Sequence, residues 1–456
     1  MSSQNHNNAR FPDGFRWGAA TSSYQIEGAV REGGRGQSIW DTFSHTPGKT
    51  VNGDTGDIAV DHYHRWHQDV AMMRELDLQA YRFSIAWPRI IPEGVGRVNQ
   101  EGLDFYDRLV DGLLEAGIEP WATLYHWDLP QALGDQDGLK NRDIADAFEA
   151  YVGAVTDRLG DRVKKWITIN EPFVAGFIGY WWGMHAPGET SRAAGLAAVH
   201  NLLRMHGKGV DVVRERVPDA RVGITLNLTS VYTLGDSEAD EDEVRRDDGL
   251  SNRWFLDPVF KGSYPEDMVE EFGDDMPEVH PGDMELMSRE TDFLGVNYYM
   301  PSYVKAGVEN AFFDPSLAPD YERTATGWLV EPRGLKDLLV RIDQDYGPEE
   351  IYITENGAAF DDDRPVDGRV HDPRRLAYYH GHLGACHDAI GQGVPLKGYF
   401  AWSLMDNFEW SEGYSKRFGI VYVDYSTQER TPKDTARWYA NVIRENAIQP
   451  EDARGT

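Results

Sequence analysis

Eight short apolar stretches, separated by longer segments of helical periodicity, constrain this chain more than any other feature. They cover residues 15–20, 80–85, 120–125, 163–169, 221–226, 292–298, 351–354 and 396–402. Helices are predicted between most of them, for example over residues 63–76, 102–116, 144–159 and 374–390. Strands that alternate with helices form parallel sheets, and eight such units in one chain predict an α/β fold, a single-domain (β/α)8 TIM barrel.

A doubly wound sheet is the alternative fold, but it normally has a glycine-rich phosphate turn after an early strand, and none is present. Long βα loops are expected over the C-terminal face of the barrel. The longest covers residues 300–334, which contain several prolines and lack periodicity, and it would overhang the mouth. The predicted domain limits are a disordered or loosely held N-terminal tail (1–9), one catalytic domain (10–447) and a C-terminal tail (448–456).

Polar and aromatic side chains follow nearly every predicted strand, which would crowd them at one mouth of the barrel. These residues include Gln25, Arg82, His126, Trp127, Asn170, Glu171, Asn227, Asn297, Tyr299, Glu355, Trp402 and Asn407. Two of the strands end in a glutamate, at Glu171 and Glu355. Because barrel enzymes carry their chemistry at the carboxyl ends of the strands, the two carboxylates predict one active site built from distant parts of the chain.

Charge and cysteine content restrict the function further. The chain has 45 basic and 76 acidic residues, a net charge of −31, which argues against nucleic acid and anionic membranes as partners. Its one cysteine, Cys386, excludes an intramolecular disulfide. The histidines around Cys386 are expected on a helix and not at a metal. The acidic run at 236–248 is expected to be a solvated helix face or loop and not a calcium site.

No apolar stretch is long enough to span a membrane, and residues 1–10 are polar, without the apolar region of a secretion signal. We therefore expect a soluble, cytoplasmic protein that needs no metal and no cofactor.

Two short motifs resemble the signatures of family 1 glycoside hydrolases, the β-glucosidases and their relatives. They are Thr-Ile-Asn-Glu-Pro at 168–172 and Ile-Thr-Glu-Asn-Gly at 353–357. The resemblance continues in residues 11–18, 23–28 and 398–410, so it covers almost the whole chain. One departure is Leu139, where the family usually has a tryptophan; it affects expectations about packing under the third βα loop but not the carboxylate pair.

The resemblance implies a retaining β-glycosidase that removes terminal, non-reducing β-D-glucosyl residues. The implied substrates are cellobiose, short cello-oligosaccharides and aryl β-glucosides, and they indicate a role in cellulose degradation. Glu355 would be the nucleophile that forms a covalent glycosyl-enzyme, and Glu171 the general acid/base. Two carboxyls about 5 Å apart suit this mechanism because no water fits between them for direct attack.

The resemblance also implies roles for further residues. Arg82, Tyr299 and Asn297 would accompany the catalytic pair, with Arg82 and the Tyr299 hydroxyl keeping Glu355 ionised. Implied substrate-binding residues are Gln25, His126, Trp127, Asn170, Trp402, Glu409, Trp410 and Phe418. The carboxylate of Glu409 would repel a 6-phosphorylated sugar. Trp181, Trp182, Trp328 and the 300–334 loop would line the side that receives the leaving group.

Three other interpretations remain. The first is a β-galactosidase or a broader β-glycosidase, with β-fucosides included. The second is a catalytically silent sugar-binding protein, which would have lost one of the two glutamates. The third is a metal-dependent barrel hydrolase, which would need more converging ligands than His126 alone provides. The expected partners are small β-glycosides, and the sequence is compatible with a homo-oligomer.

Overall fold

A closed barrel of parallel strands forms the centre of the computed structural model, which describes residues 6–308 and 321–451. The strands of the described residues are β1 Arg16–Ala20, β2 Ala80–Ser84, β3 Glu119–Tyr125, β4 Lys165–Asn170, β5 Arg221–Asn227, β6 Val231–Thr233, β7 Phe293–Asn297, β8 Ser302–Val304, β9 Ile351–Asn356, β10 Leu396–Trp402, β11 Val421–Asp424 and β12 Glu429–Pro432. The barrel order is β1, β10, β9, β7, β5, β4, β3, β2, and every neighbouring pair is parallel. The predicted (β/α)8 barrel is confirmed.

Helices surround the barrel and connect its strands. The α-helices of the described residues are α1 Ser23–Ile26, α2 Ile39–Ser44, α3 His62–Glu75, α4 Trp87–Ile90, α5 Gln100–Glu115, α6 Gln131–Gly134, α7 Ile144–Leu159, α8 Arg192–Arg216, α9 Glu238–Asp248, α10 Trp254–Lys261, α11 Glu266–Phe272, α12 Asp283–Met287, α13 Pro332–Tyr346, α14 Pro373–Gly391 and α15 Asp434–Glu445. Two segments, Val174–Trp181 and Gly249–Arg253, are π-helical. Short 3-10 turns occupy Val51–Gly53, Gly138–Lys140, Gly273–Asp275 and Trp410–Glu412.

The barrel strands lie close to their predicted limits because strands buried on both faces read as short continuous apolar runs. The largest differences are at β4, which begins at Lys165 and not at Val163, and at β9, which extends to Asn356. Val163 instead closes the turn after α7, where its N–H donates to the carbonyl of Leu159. Asn170 is thus the last residue of β4, so it lies inside the barrel mouth.

The barrel interior has an aromatic layer below and a polar layer above. Trp121, Phe293, Tyr352 and Phe400 pack against one another, with ring centroids 4.8 to 5.5 Å apart. Gly18 makes room for this layer, because a Cβ there would lie 2.6 Å from the Phe400 ring. The aromatic layer closes the lower end of the barrel and leaves the polar side chains at the upper end.

The acidic run folds as α9. The Ser237 hydroxyl accepts from the N–H of Asp240, and the Asp240 carboxylate accepts from the N–H of Ser237, a capping box. Acidic residues in the first turn, with Arg245 and Arg246 in the last, complement the helix dipole. The predicted solvated helix is confirmed.

The predicted long loop at 300–334 is only partly irregular, which corrects the expectation. Its first residues form β8, which pairs in parallel with β6, and its last residues begin α13. A short strand flanked by proline and lacking visible alternation could not be distinguished from loop in the sequence. Residues 309–320 lie outside the described residues.

The two ends of the chain meet beneath the barrel. The N–H of Asn8 donates to the carbonyl of Ile448 at 2.7 Å, and the N–H of Ile448 donates to that of Ala9 at 3.0 Å. The rest of the two predicted tails, residues 1–5 and 452–456, lies outside the described residues. Across the described part of the chain, no helix is long and apolar enough to cross a membrane.

Candidate active site

A cavity of about 310 Å³ opens at the carboxyl ends of the barrel strands. Glu355, on β9, and Glu171, directly after β4, both line it. The two residues are buried, with 3% and 4% of their surface exposed. Two strand-end carboxylates 184 positions apart in sequence are therefore brought to one cavity.

Glu355 is surrounded by donors. Arg82 Nη1 donates to its Oε1 at 2.6 Å, and the Tyr299 hydroxyl donates to its Oε2 at 2.6 Å. Burial raises the pKa of the Tyr299 hydroxyl, so this group remains a donor at neutral pH. Each oxygen of Glu355 thus has one strong donor, and one of the two donors is a full positive charge.

Glu171 has a weaker set of partners. Asn297 Nδ2 donates to its Oε1 at 2.6 Å, and the Oδ1 of the same amide accepts from the hydroxyl of Thr354 at 2.8 Å. Asn297 Nδ2 also donates to Asn170 Oδ1 at 3.1 Å, so the same amide contacts Glu171 and the neighbouring asparagine. Among the described residues, no cation forms an ion pair with Glu171.

These surroundings separate the two acids in protonation. Burial and the negative charge of Glu355 raise the pKa of Glu171 well above its usual range. Burial also raises the pKa of Glu355, but Arg82 and Tyr299 oppose that rise. Glu355 therefore ionises first, and Glu171 keeps its proton. A pair of carboxyls with divergent pKa values is the arrangement that assigns acid and base roles in glycosidases.

Arg82 organises the floor of the site. Besides Glu355, it donates through Nη1 to the carbonyl of Thr354, through Nη2 to Asn170 Oδ1 at 2.6 Å, and through Nε to the hydroxyl of Thr123. Its side chain is 1% exposed. A guanidinium with its donors fixed in this way holds Glu355 and Asn170 at a set spacing.

His126 and Asn170 are adjacent on the next part of the wall. Asn170 Nδ2 lies 3.1 Å from His126 Nε2, and because the amide donates, that ring nitrogen accepts. Burial and the charge of Arg82 lower the pKa of His126 well below its usual range, so the ring is neutral. Its Nδ1 therefore carries the proton, and among the described residues it has no hydrogen-bond partner. The indole N–H of Trp127 donates to the carbonyl of Asn170.

Aromatic rings and a second carboxylate form the side of the cavity nearest the end of β10. Trp402 and Trp410 lie nearly parallel to the His126 ring, each with its centroid 5.9 Å away. Burial and the carboxylates of Glu355 and Glu412 raise the pKa of Glu409 to about 8. Flat rings beside polar groups suit a sugar, which has apolar C–H faces and a rim of hydroxyls.

Gln25 lies behind this wall and fixes it. Its amide nitrogen, Nε2, donates to Asn407 Oδ1 at 3.1 Å, to the carbonyl of Phe408 at 3.0 Å and to Glu409 at 3.4 Å. Phe418 lines the cavity beside Trp328. Gly357, which ends the second motif, is needed because a Cβ there would lie 1.7 Å from the carbonyl oxygen of Trp402.

Three residues of the site have a backbone in the left-handed region: Trp127 (φ 78°), Glu171 (φ 50°) and Trp410 (φ 50°). Residues other than glycine rarely adopt this backbone conformation, and such strain concentrates at functional sites. The surrounding hydrogen bonds therefore hold these three side chains in orientations that an unstrained loop would not give.

The expected leaving-group wall needs a correction. Trp328 lines the cavity, but Trp181 and Trp182 do not appear among the described residues that line it. Trp181 packs against Phe177, and Trp182 packs behind Phe173, which does line the cavity. Leu139, the departure from the family pattern, is 1% exposed, and its N–H donates to the Tyr180 hydroxyl at 3.0 Å.

Several contributing residues were given no individual role from the sequence, although Asn407 was among those predicted at the barrel mouth. Thr123 and Thr354 orient Arg82 and Asn297, and Asn407 anchors Gln25. A threonine within an apolar strand and a strand-end asparagine were the available signals. Ser251 and Leu228 also line the cavity, and nothing in their local sequence indicates this.

A protonated carboxyl and an ionised carboxylate that share one sugar-sized cavity can cleave an acetal. The acid protonates the leaving oxygen, and the carboxylate meets the positive charge that develops on the sugar. Together with the barrel, this arrangement defines a glycoside hydrolase.

Comparisons with known proteins agree with this class. The family profile "Glycosyl hydrolase family 1" matches residues 7–448. "Beta-glucosidase A" of Thermotoga maritima is 51% identical over 448 residues, covering 96% of this chain and 99% of that protein. "1,4-beta-D-glucan glucohydrolase" of Thermotoga neapolitana is 49% identical over 441 residues, covering 96% and 99%. The chain belongs to glycosyl hydrolase family 1 and is an enzyme of the β-glucosidase type, as predicted.

Solved structures show the same relationship. The "Family 1 b-glucosidase from Thermotoga maritima" superposes with a TM-score of 0.94 at 50% identity, covering 97% of this chain and all of that one. The "Thermotoga maritima family 1 glycoside hydrolase complexed with a cyclophellitol analogue transition state mimic" gives a TM-score of 0.93 at 51% identity, also covering 97% of this chain and all of that one.

Proposed function

We propose that this enzyme hydrolyses terminal, non-reducing β-D-glucosyl residues of cellobiose, short cello-oligosaccharides and aryl β-glucosides, with retention of anomeric configuration. One observation carries the proposal. The two buried carboxyls of the cavity have opposite partners, since Glu355 has a cation and a hydroxyl while Glu171 has only a neutral amide. Residues 10–447 act in this proposal as one catalytic domain, because the closed barrel draws its strands from that whole range.

In the first step, Glu355 attacks the anomeric carbon as Glu171 gives its proton to the leaving oxygen. The bond to the leaving group breaks, and a glucosyl ester forms on Glu355. Arg82 and Tyr299 keep the attacking carboxylate ionised. Asn170, adjacent to the acid, would bind the 2-hydroxyl, where a hydrogen bond strengthens in the transition state.

In the second step, the ester is hydrolysed. Esterification removes the negative charge of Glu355, which is one of the two main causes of the raised pKa of Glu171. The pKa of Glu171 therefore falls, and the residue, now ionised, takes a proton from the incoming water. Water attacks the anomeric carbon, β-glucose is released and both carboxyls return to their starting states.

The glucosyl unit is held by the predicted sugar-binding set. In this proposal Trp402 provides the flat face, with Trp127 beside it, and His126 binds the 3-hydroxyl through its unpaired Nδ1. Glu409, which Gln25 contacts from behind, binds the hydroxyls farther from the reaction centre. Support comes from the position of Glu409, which lies half-buried in the cavity wall and offers oxygens to sugar hydroxyls but no positive charge to a phosphate.

A Glu355→Gly variant tests the proposal. It should lose hydrolysis, regain cleavage of an aryl β-glucoside in added azide, and release the α-glucosyl azide, because azide then occupies the place of the nucleophile. In a Glu171→Ala variant, azide should instead give the β-glucosyl azide. Unimpaired hydrolysis by Glu355→Gly, or the β-azide from it, contradicts the assignment.

A broader β-glycosidase is the second candidate. A "Bifunctional beta-D-glucosidase/beta-D-fucosidase" of Bifidobacterium breve is 45% identical over 462 residues and 96% of this chain. The ratio of kcat/KM for 4-nitrophenyl β-D-glucoside to that for the β-D-fucoside separates the two. A ratio well above one supports a glucosidase, because the fucoside lacks the 6-hydroxyl and has an axial 4-hydroxyl, and Glu409 is proposed to bind hydroxyls at this end of the sugar.

A further inference from the structure

Six charged side chains lie together beside the segment that follows β10, and the proposed function uses none of them. They are three cations and three anions: Arg375, Arg417, Lys433, Asp362, Asp372 and Asp406. Five of the six side chains are at most 2% exposed, and that of Arg417 is 18% exposed. Lys433 Nζ, for example, donates to Asp406 at 2.8 Å and to Asp362 at 2.6 Å. The charges balance, and we call this set the buried ion network.

Stability alone does not account for six buried charges. Taking a charge out of water is costly, and apolar side chains of the same volume often stabilise a protein as well as a buried ion pair does. What charged groups add is direction, because a guanidinium or a carboxylate holds each of its partners at a set place. The segments that the buried ion network joins therefore indicate its role.

Asp406 joins two segments of the chain. Its carboxylate accepts from Arg417 Nη1 at 2.6 Å, from the N–H of Gly419 at 3.0 Å and from the N–H of Val423 at 3.4 Å. Gly419 approaches so closely that a Cβ there would lie 2.0 Å from the backbone nitrogen of Asp406. One fully buried carboxylate thus fixes the turn before β11 to the segment after β10.

Both of these segments carry parts of the sugar-binding wall. Glu409 and Trp410 lie three and four positions after Asp406, and Phe418 directly precedes Gly419. All three of these wall residues line the active-site cavity. A change in the position of Asp406 would therefore move Glu409 and Phe418 relative to each other and to the sugar between them.

The other end of the network is fixed to two helices of the outer layer. Lys433 directly precedes α15, and Arg375 lies in the first turn of α14. Arg375 donates to both oxygens of Asp362, at 2.7 and 2.8 Å, and to the carbonyl of Arg417 at 2.9 Å. The wall segments are thus tied by charged contacts to helices that surround the barrel.

The network does not reach the reacting end of the sugar. Glu355 is held by Arg82 and Tyr299, and among the described residues neither of these two bonds a member of the network. We therefore expect its influence on the part of the wall that, in the proposed function, binds the hydroxyls far from the anomeric carbon.

We propose that Asp406, with Lys433 and Arg417 as its charged partners, is a positioning residue for sugar recognition. It sets the place of Glu409 in the cavity wall, and through it the preference for a glucosyl unit over a sugar that lacks the 6-hydroxymethyl group. The inference rests on the proposed function, because Glu409 binds the far hydroxyls only in that proposal.

Asp406→Asn is the direct test, with 4-nitrophenyl β-D-glucoside and 4-nitrophenyl β-D-xyloside as substrates. The leaving group is the same in both, and the xyloside lacks only the 6-hydroxymethyl group. The ratio of kcat/KM for the glucoside to that for the xyloside should fall about fivefold or more, as expected when one hydrogen bond to the substrate is lost. The acid limb of the pH profile should stay at its wild-type position, because the partners of Glu355 are unchanged.

Two further variants make the test decisive. Arg417→Met removes one charged partner at the more exposed edge of the network, so it perturbs folding less than Asp406→Asn and should lower the same ratio by about twofold or more. Asp283→Asn is the matched control. The Asp283 side chain is 3% exposed and pairs with Arg142 and Arg204, but it is not among the described residues that line the cavity. The control should lower the melting temperature without changing the ratio.

The outcomes separate the inference from the proposed function. An unchanged ratio in Asp406→Asn or in Arg417→Met, with both values of kcat/KM lowered alike, makes the network merely structural and overturns the inference. A ratio that falls as far in Asp283→Asn overturns it as well. A wild-type enzyme with equal kcat/KM on the two substrates also overturns it but leaves hydrolysis by the two acids standing. A wild-type enzyme inactive on both substrates removes the proposed function itself.

Discussion

Replacing Arg82 with methionine removes the positive charge that lies 2.6 Å from the proposed nucleophile, Glu355. The two side chains are 1% and 4% exposed, so water cannot readily take the place of the guanidinium. Methionine has a similar length and no charge, which limits the change to the charge and its hydrogen bonds. The variant also loses the donor to Asn170.

Breaking one partner of a buried ion pair costs about 3–5 kcal/mol. At about 1.4 kcal/mol for each factor of ten, a loss of 3 kcal/mol felt by the ionised nucleophile lowers kcat/KM about 10²-fold at neutral pH. The pH dependence has a definite sign. Burial raises the pKa of Glu355 and Arg82 opposes that rise. Without Arg82 the pKa rises further, and because the reaction needs the ionised form, the acid limb of the profile moves to higher pH.

The assay is kcat/KM for 4-nitrophenyl β-D-glucoside as a function of pH in the wild type and Arg82→Met. Arg89→Met is a matched control, because Arg89 is fully buried and paired with Glu27 at 3.0 Å but does not line the active-site cavity. The control should lose thermal stability without moving the acid limb. An Arg82→Met enzyme with full turnover, or with an acid limb at the wild-type pH, refutes this account of Glu355.

Three further outcomes are expected. Tyr299→Phe removes a hydrogen bond to a charged oxygen, which is worth about 1.5–3 kcal/mol. The value of kcat/KM should therefore fall by about tenfold or more, and the acid limb should shift less than in Arg82→Met. An unchanged pH profile contradicts this. Lys433 is fully buried and forms ion pairs with two aspartates. Lys433→Met should therefore lower the melting temperature much more than Lys208→Met, which breaks a partly exposed ion pair worth about 0–1 kcal/mol. Equal shifts of the melting temperature in calorimetry contradict this. Glu355→Gln removes one of the charges that raise the pKa of Glu171, so the acid should titrate at a lower pH in ¹³C-NMR spectra of glutamate-labelled protein, and an unchanged titration speaks against charge coupling.

The strands could be predicted because each is a short apolar run that ends at a polar residue, and parallel strands in a closed barrel bring those ends together. That reasoning located both carboxylates and Arg82. It could not locate the contacts between loops. Gln25 bonds Asn407, which lies 382 positions away, and neither residue's neighbours in sequence indicate the other.

The direction of Trp181 and Trp182 shows a second limit. In an α-helix, residues 174, 178, 181 and 182 share a face, which would turn both tryptophans towards the cavity with Val174 and Ile178. The segment is π-helical, with bonds between residues i and i+5, so Trp181 turns off that face and packs against Phe177. Trp182, just after the segment, packs against Phe173. The same departure from α-helical geometry places Ser251 in the cavity wall, and no local pattern predicts a π-helical turn.

The central claim is that the sugar becomes covalently bound to Glu355 during turnover, and trapping that ester tests it most directly. A 2-deoxy-2-fluoro-β-D-glucoside with a dinitrophenyl leaving group slows the second step more than the first. Intact mass spectrometry should then show one fluoroglucosyl group per chain, and peptide mapping should place it on Glu355. An enzyme that turns this substrate over without any mass increase, or that carries the label on Glu171 or elsewhere, contradicts the account.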